Sequence, residues 1–326
     1  MSEPRLRLAV LGCGQAAVLA ARALRGLRGV SCAYASREPE RAARFAQKLD
    51  GHSFGSYKEA LSSPNVDAVL VATPPTSHFE LALRALDCGK SVVLEKPPTL
   101  HTRELDALAR AARLVGRRVM VAENYYYKPL ARALRELIGD GVVGELLFVH
   151  VNALKTQRAE GWRSDPRLAG GGALFEGGIH WVDLLANLGP GVESVEGFRT
   201  GVNGKDAVDR SVLAVFRYST GAVGTLSYSW ETASALRGLR LSRVYGREGS
   251  IAFESNGLFL ATWGRVRRLA FPGLRDISGR RAMWADFVPA LQENREPQYD
   301  MRHARRDLEL VEAVYASAAR GGGRRA

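Results

Sequence analysis

The sequence predicts two domains: an α/β doubly wound parallel sheet, then an α+β domain with a large, mostly antiparallel open sheet. Three observations carry this. Over the first 123 or so residues, continuous apolar runs alternate with amphipathic stretches, the pattern of a parallel sheet covered on both faces. The first apolar run leads directly into a glycine turn, "LGCGQAA". After a helical stretch over 129–138 the rhythm changes to strands, several linked by glycine-bearing turns such as "STGAVG", "GREGS" and "ESNG". Consecutive strands with tight turns favour antiparallel pairing.

The elements follow in order. Strand-like runs occupy 6–11, 31–36, 66–72, 92–95 and 119–123, and helical stretches 16–27, 39–49, 77–88 and 102–115 lie between them. The second domain offers strands at 146–153, 192–198, 212–218, 223–230, 239–245, 251–254 and 258–263, interrupted by a helix over 176–188. Helices near 281–293 and 303–320 close the chain. The expected division is 1–124 and 125–320, with the last helices packing back on the first domain and 321–326 a flexible tail. In a doubly wound sheet the ligand sits at the carboxyl ends of the strands.

Those ends hold the candidate residues. In "SVVLEKPPTL" the run Val92–Leu94 delivers Glu95 and Lys96 to a strand end that two prolines then close. Desolvation excludes such charges from a buried strand unless they have a purpose. In "LGCGQAAVLAARAL", Gly12, Gly14 and Ala17 fit the G-x-G-x-x-G/A phosphate turn, and Gln15 and Ala16 open the helix whose amides would face pyrophosphate. In "CAYASREPE" the acidic residue that binds the ribose of NAD is replaced by Ser36 and Arg37. A hydroxyl and a guanidinium suit a 2′-phosphate, so NADP(H) is favoured over NAD(H), unless Arg37 is one more surface arginine.

In "AVLVATPPTSHFELAL" prolines end the strand, and Thr76 or Ser77 can cap the next helix. Thr73, Pro74 and His78 lie where a cofactor would pass; His78 is either a contact to it or a surface histidine of the capping loop. "AENYYYKP" follows the last parallel run, which places Asn124 and Tyr125 at the cleft. In "RLAGGGALFEGGIHWVDLLANLG", Glu176, His180 and Asp183 are spaced to share one helical face. His180 is a proton acceptor that Glu176 can orient, or else a histidine satisfied in a polar interface. Asp183 reads as a helix anchor.

Composition narrows the class. With 46% apolar and 25% charged residues, the chain has ordinary globular composition. No apolar run approaches a membrane span, and no secretory leader is read at the N-terminus. Cys13, Cys32 and Cys88 lie far apart without metal-ligand spacing, which points to reduced thiols, a cytoplasmic location and no metal. The net charge of +12 invites nucleic acid, but only seven of the 46 basic residues are lysine. The arginine clusters lack interleaved aromatics, so no nucleic-acid partner is expected.

Taken in this order, "GCGQAA", "ATPPTSH", "EKP" and "GGGALFEGGIHWVDLL" resemble the Gfo/Idh/MocA family of oxidoreductases over nearly the whole chain. The resemblance implies a Rossmann domain and hydride transfer between NAD(P) and a sugar, cyclitol or related polyol. It implies that Lys96 touches both nicotinamide and substrate, with Glu95 on the cofactor side, and that His180 handles the hydroxyl proton. Glu176 departs from the pattern, standing where aspartate is more usual. "GWRSDP" is similar to a family loop that enters the sugar pocket, which makes Trp162 and Arg163 substrate contacts unless the loop is merely packed. The open sheet offers a face for a homodimer or homotetramer. Two rival functions share the fold, a non-enzymatic cofactor-binding sensor and an NAD-dependent redox glycosidase. A sensor needs neither Lys96 nor His180, and a glycosidase would keep a cofactor that never exchanges.

Overall fold

The structure, a computed structural model, describes residues 6–158, 160–200, 208–233 and 239–320. They form two compact units. One gathers the residues up to Glu123 with Arg280–Arg305; the other holds Asn124–Gly279 and the residues from Arg306 on. The tail expected to be flexible, 321–326, lies outside the described residues.

The first unit is a six-stranded parallel sheet in the order β3-β2-β1-β4-β5-β6. Its strands are β1 (Leu6–Leu11), β2 (Val30–Ala35), β3 (His52–Phe54), β4 (Ala68–Val71), β5 (Ser91–Leu94) and β6 (Val119–Val121). β1, β4, β5 and β6 are buried almost throughout, as continuous apolar runs in a sheet covered on both faces must be. The helices are α1 (Gln15–Leu24), α2 (Pro39–Leu49), α3 (Tyr57–Ser62), α4 (His78–Asp87) and α5 (Thr102–Leu114), joined by α9 (Arg280–Glu293) from the end of the chain. Strand order reverses beside β1, so the ends of β1 and β4 make the switch point where such sheets bind ligands.

β3 and α3 are additions to the elements expected from sequence. β3 has three residues, none of them fully buried, and so shows no apolar run. α3 is set by a local cap: Ser56 Oγ accepts from the Glu59 amide at 3.1 Å, while the Glu59 carboxylate accepts from the Gly55 amide at 2.7 Å.

The second unit is an eight-stranded sheet in the order β14-β13-β12-β11-β7-β10-β9-β8. Its strands are β7 (Leu146–Leu154), β8 (Val192–Arg199), β9 (Ser211–Tyr218), β10 (Val223–Ser229), β11 (Leu241–Gly246), β12 (Gly249–Glu254), β13 (Leu260–Gly264) and β14 (Arg268–Ala270). Every neighbouring pair is antiparallel except β7 and β10, which run parallel. Side chains alternate, with Val212, Ala214, Phe216 and Tyr218 inward on β9 and Gly224, Leu226 and Tyr228 inward on β10. Helices α6 (Pro129–Gly139), α7 (Pro166–Ala169), α8 (Ile179–Ala186) and α10 (Met301–Ala319) complete the fold. The Tyr218 hydroxyl donates to the Leu185 carbonyl at 2.9 Å, fastening α8 to the sheet. Phe148, Leu241 and Trp263 stay exposed.

One expected helix is corrected. A single helix over 176–188 does not form; a π-helical turn, Leu174–Gly178, comes first and the α-helix begins at Ile179. Such turns concentrate at functional sites because they displace side chains from the regular helical positions.

The first unit also carries a testable ion pair. Arg7, near the start of β1, donates from Nη2 to Asp67 Oδ1 at 2.6 Å and from Nε to Asp67 Oδ2 at 3.0 Å, just before β4. The guanidinium holds the Asp67 carboxyl below its ordinary range, against burial. A depressed folded value means the stabilisation is complete above about pH 4 and is lost as pH falls through the depressed value. Asp67→Asn should therefore differ from wild type in urea midpoint most at pH 6–7, with the gap closing on acidification. A gap unchanged down to pH 3 would contradict this.

Candidate functional site

In the first unit the site is built from chain segments that leave the strands at their carboxyl ends. The Gly12 amide donates to the Ala35 carbonyl at 2.9 Å and the Ala72 amide to the Leu11 carbonyl at 2.8 Å, so β1, β2 and β4 end together. Gly12 has φ +106°, and a Cβ there would meet the Ala72 carbonyl oxygen at 2.6 Å. Gly14, before the first residue of α1, has open space within 4 Å of the same position, and no side chain caps the helix. Free amides at an uncapped helix end, facing room that a Cβ would fill, fit a dinucleotide pyrophosphate. Gln15 is exposed beside this room, Ala16 half-buried, and Ala17 fully buried against the sheet.

Past β2, Ser36 is buried and its hydroxyl accepts from the Glu38 amide at 3.3 Å, while Arg37 is exposed. Arg41 on α2 donates from Nε to the Cys13 carbonyl at 3.0 Å, anchoring the glycine turn. Tyr57, the first residue of α3, lies beside Arg37; burial pushes its phenol up, opposed by the Arg37 guanidinium. The sequence reading missed Tyr57 because it missed the short β3–α3 segment that brings it back.

Past β4, the Ser77 hydroxyl lies 2.7 Å from Thr73 Oγ1 and 2.9 Å from the Pro74 carbonyl oxygen. His78 is a correction to the sequence reading. It is not a surface histidine of the capping loop: the residue is 1% exposed and its ring is engaged at both nitrogens. Nδ1 lies 3.0 Å and 3.2 Å from the carbonyl oxygens of Pro97 and Pro98, and Nε2 lies 2.9 Å from that of Thr73. Burial pushes its pKa down, against the pull of the three carbonyls. The ring ties the loop after β4 to the segment after β5.

That segment carries Glu95 and Lys96, both half-buried. The Glu95 amide donates to the Val71 carbonyl at 3.0 Å, and the Glu95 carboxylate accepts from the Lys96 amide at 3.3 Å. Burial pushes the Glu95 carboxyl up, opposed by Lys96 and Arg280. Both side chains thus stand at the end of β5, as the apolar run and its prolines required.

The second unit holds a separate aromatic and charged group. Asn124 is buried and donates from Nδ2 to the Ser278 carbonyl at 2.6 Å, so the donor half of its amide is a backbone tie and not an open face of a cleft. Tyr125 stacks on His180 with ring centres 4.1 Å apart and planes 9° apart, and meets Trp181 edge-on at 5.2 Å. Lys128, buried, places Nζ 4.2 Å from the centre of the Tyr125 ring. Arg163 lies over Trp162 at 4.4 Å and donates from Nε to Glu176 Oε1 at 2.8 Å. Sequence spacing assigned Glu176 to His180; the structure places the Arg163 guanidinium, from another segment, on its carboxylate.

Two glycines explain how the π-helical turn is seated. A Cβ on Gly177 would lie 2.3 Å from the Tyr228 hydroxyl, which accepts from Trp230 Nε1 at 3.1 Å. A Cβ on Gly172 would lie 1.7 Å from Asp209 Oδ1. Asp209 accepts from the Leu174 amide at 3.2 Å, and the Tyr315 hydroxyl accepts from the Phe175 amide at 3.1 Å. Burial pushes the Asp209 carboxyl up, opposed by its hydrogen bond with Tyr315. Lys128, Tyr228 and Asp209 were not singled out from sequence. Lys128, one of seven lysines and set in an aromatic run before a proline, was the legible one.

Among the described residues no cluster of His, Cys, Asp and Glu suited to a metal occurs, and no helix is long and apolar enough to cross a membrane.

Residues 6–123 match the family model described as "Oxidoreductase family, NAD-binding Rossmann fold", and residues 131–252 match the "GFO/IDH/MocA C-terminal domain". The chain is similar to the 1,5-anhydro-D-fructose reductase of Ensifer adhaerens, 30% identical over 70% of this chain and 69% of that protein. It is also similar to the D-xylose 1-dehydrogenase (NADP(+)) of Hypocrea jecorina, 30% identical over 66% of this chain and 61% of that protein. Among solved structures, GenD2 from gentamicin A biosynthesis in complex with NAD has a TM-score of 0.84 at 26% identity, covering 98% of this chain and 96% of that one.

The two glycines of the first turn differ in what they permit. Gly12→Ala combines left-handed strain of about 1–3 kcal/mol with a backbone collision, and should lower Tm by about 4–10 °C. Gly14→Ala meets nothing and should leave Tm within about 1 °C, since its backbone is extended. Thermal melts of both variants check this; equal losses would contradict it.

Proposed function

Because this chain belongs to the Gfo/Idh/MocA oxidoreductase family, we propose that it moves a hydride between NADP(H) and a secondary alcohol or ketone of a sugar, cyclitol or related polyol. The observation that carries this reading is Lys96, a lysine delivered to the end of β5 in a sheet whose glycine turn has room for pyrophosphate. The sugar reductase and dehydrogenase among the relatives support the substrate class.

When bound, the nicotinamide supplies or accepts the hydride at its C4. The chain's own residues orient the substrate and manage its proton. Lys96 donates a hydrogen bond to the reacting oxygen and stabilises charge that develops there. His180 accepts the hydroxyl proton in the oxidative direction and returns it in the reductive one. Glu176, held by Arg163, supports His180, and Tyr125, Trp162 and Arg163 contact substrate. In this scheme residues 1–124 hold the cofactor through Gly12, Gly14, Gln15, Ala16 and Ala17, with Thr73, Pro74 and Glu95 beside it. Residues 125–320 hold the substrate. The exposed sheet face with Phe148, Leu241 and Trp263 pairs subunits as a dimer or tetramer. The three free, separate thiols suit a cytoplasmic location.

A panel of sugars, cyclitols and their keto forms, followed by nicotinamide absorbance with each cofactor, tests the reading. On a substrate so found, Lys96→Met should fold normally and lose on the order of 3 kcal/mol of transition-state stabilisation, more than a hundredfold in turnover. His180→Ala should lose roughly a hundredfold with cofactor affinity kept. Near-wild-type turnover by either folded variant would remove its assigned role.

The preference for NADP(H) rests on Arg37 and Ser36, with Arg41 and Tyr57 beside them. The relative named for NADP(+) supports it. Charge-assisted hydrogen bonds contribute about 1.5–3 kcal/mol, so a tenfold to hundredfold preference is expected. Arg37→Ala should weaken NADPH and leave NADH nearly unchanged in fluorescence titrations. Equal or tighter NADH binding by the wild type would sink this preference.

A further inference from the structure

Lys128 is a charged residue that the proposed chemistry does not use. It is 6% exposed, directly precedes α6, and places its ammonium 4.2 Å from the centre of the Tyr125 ring. The same ring stacks in parallel on His180, which is 8% exposed. An ammonium is drawn to the negative face of an aromatic ring. The phenol ring thus makes contact with two groups that can both be cationic.

The ammonium and the imidazole centre are at most about 8 Å apart, since each lies close to the same ring, and both residues are buried. A fixed positive charge at that distance disfavours the imidazolium. The other charged and titratable groups around His180 come from several elements. Glu176 and Asp183 lie on its own stretch, the first bonded to Arg163 and the second to Asn187. Tyr228 comes from β10 beside Gly177, and Arg240 overlies the neighbouring Trp181 ring at 5.6 Å. An ionised carboxylate at Glu176, four residues before His180, would favour the imidazolium; the Arg163 guanidinium bonded to it weakens that pull, and a charged Lys128 would oppose it through Tyr125.

We propose that Lys128 is a positioning residue that acts through the Tyr125 ring to keep His180 neutral and able to accept a proton. The proposal rests on the reading of His180 as the proton acceptor. It gives the stacked tyrosine a second purpose: it fixes the imidazole plane and carries the influence of the lysine to it. A lysine serving the fold alone would hold the loop after β6 in place and leave the titration of His180 unmoved.

The test is the titration of His180 itself, read by NMR on the full chain with 13C-labelled histidine. The sequence has six histidines, and His180→Gln identifies the signal. Lys128→Met keeps the stem and removes the charge, and Lys128→Arg keeps the charge. The His180 midpoint should rise by about one pH unit in Lys128→Met and return to its wild-type position in Lys128→Arg. His150 and His303 should not move. An unmoved midpoint in Lys128→Met, or an equal shift in Lys128→Arg, overturns the proposal. Lys128→Gln is the second uncharged variant; if neither uncharged variant folds while Lys128→Arg does, Lys128 serves the fold and the proposal is overturned. The acid limb of the turnover profile should shift with the NMR midpoint. If it stays while the midpoint moves, His180 is not the base, yet the effect of Lys128 on it stands.

Discussion

Three backbone carbonyls converge on the buried ring of His78, and the placement of Lys96 depends on that convergence. Thr73 approaches one ring nitrogen, and Pro97 and Pro98 approach the other. The need arises from the prolines themselves. They end β4 and β5 cleanly, but they bring no amide hydrogens to a crowded strand end, leaving carbonyl oxygens with few donors. A histidine from the start of α4 reaches both loops. Because Lys96 is the residue before Pro97, whatever fixes the Pro97 carbonyl also fixes the segment from which the lysine side chain departs.

The second unit solves the same problem differently. There Tyr125 stacks on His180, and Trp181 meets Tyr125 edge-on. The backbone that carries His180 is seated by glycines against buried polar groups, Gly172 on Asp209 and Gly177 on Tyr228. Asp209 then takes the Leu174 amide, one of the donors that a helix start leaves without an internal partner. Such packing restrains the turn, as the proton-acceptor role proposed for His180 requires if its geometry is to be reproducible. Glu176 fits the same logic: a buried carboxylate is costly unless a cation meets it, and Arg163 does.

Much of this was legible from residues alone, for physical reasons that also mark where legibility stops. The strands of the parallel sheet show as apolar runs because both their faces are covered, and Gly12 announces itself because its turn needs a positive φ. β3 and β14 have three residues each and little burial, so they leave no pattern. The π-helical turn was read as ordinary helix, since spacing does not reveal an added residue. His78 and Asn124 were read by proximity to the site, but their partners, the Pro97 carbonyl and the Ser278 carbonyl, are set by tertiary contacts that no local pattern encodes. Lys128 and Tyr57 were passed over for the same reason. Some of the arginines are engaged locally, Arg7 with Asp67 and Arg305 with Asp106 among them, while the net excess of +12 lies beyond such pairs.

The central claim is that this chain transfers a hydride directly between a nicotinamide and a carbinol carbon. The most direct measurement follows the hydrogen. NADPH carrying deuterium at both C4 positions would be incubated with the keto-sugars of the substrate panel, and the isolated product analysed by mass spectrometry and NMR. The account predicts one deuterium on the new carbinol carbon, in one stereochemical position, with one cofactor oxidised per product. An unlabelled product formed without net oxidation of the cofactor, or tight cofactor binding with no product from any member of the panel, would contradict it.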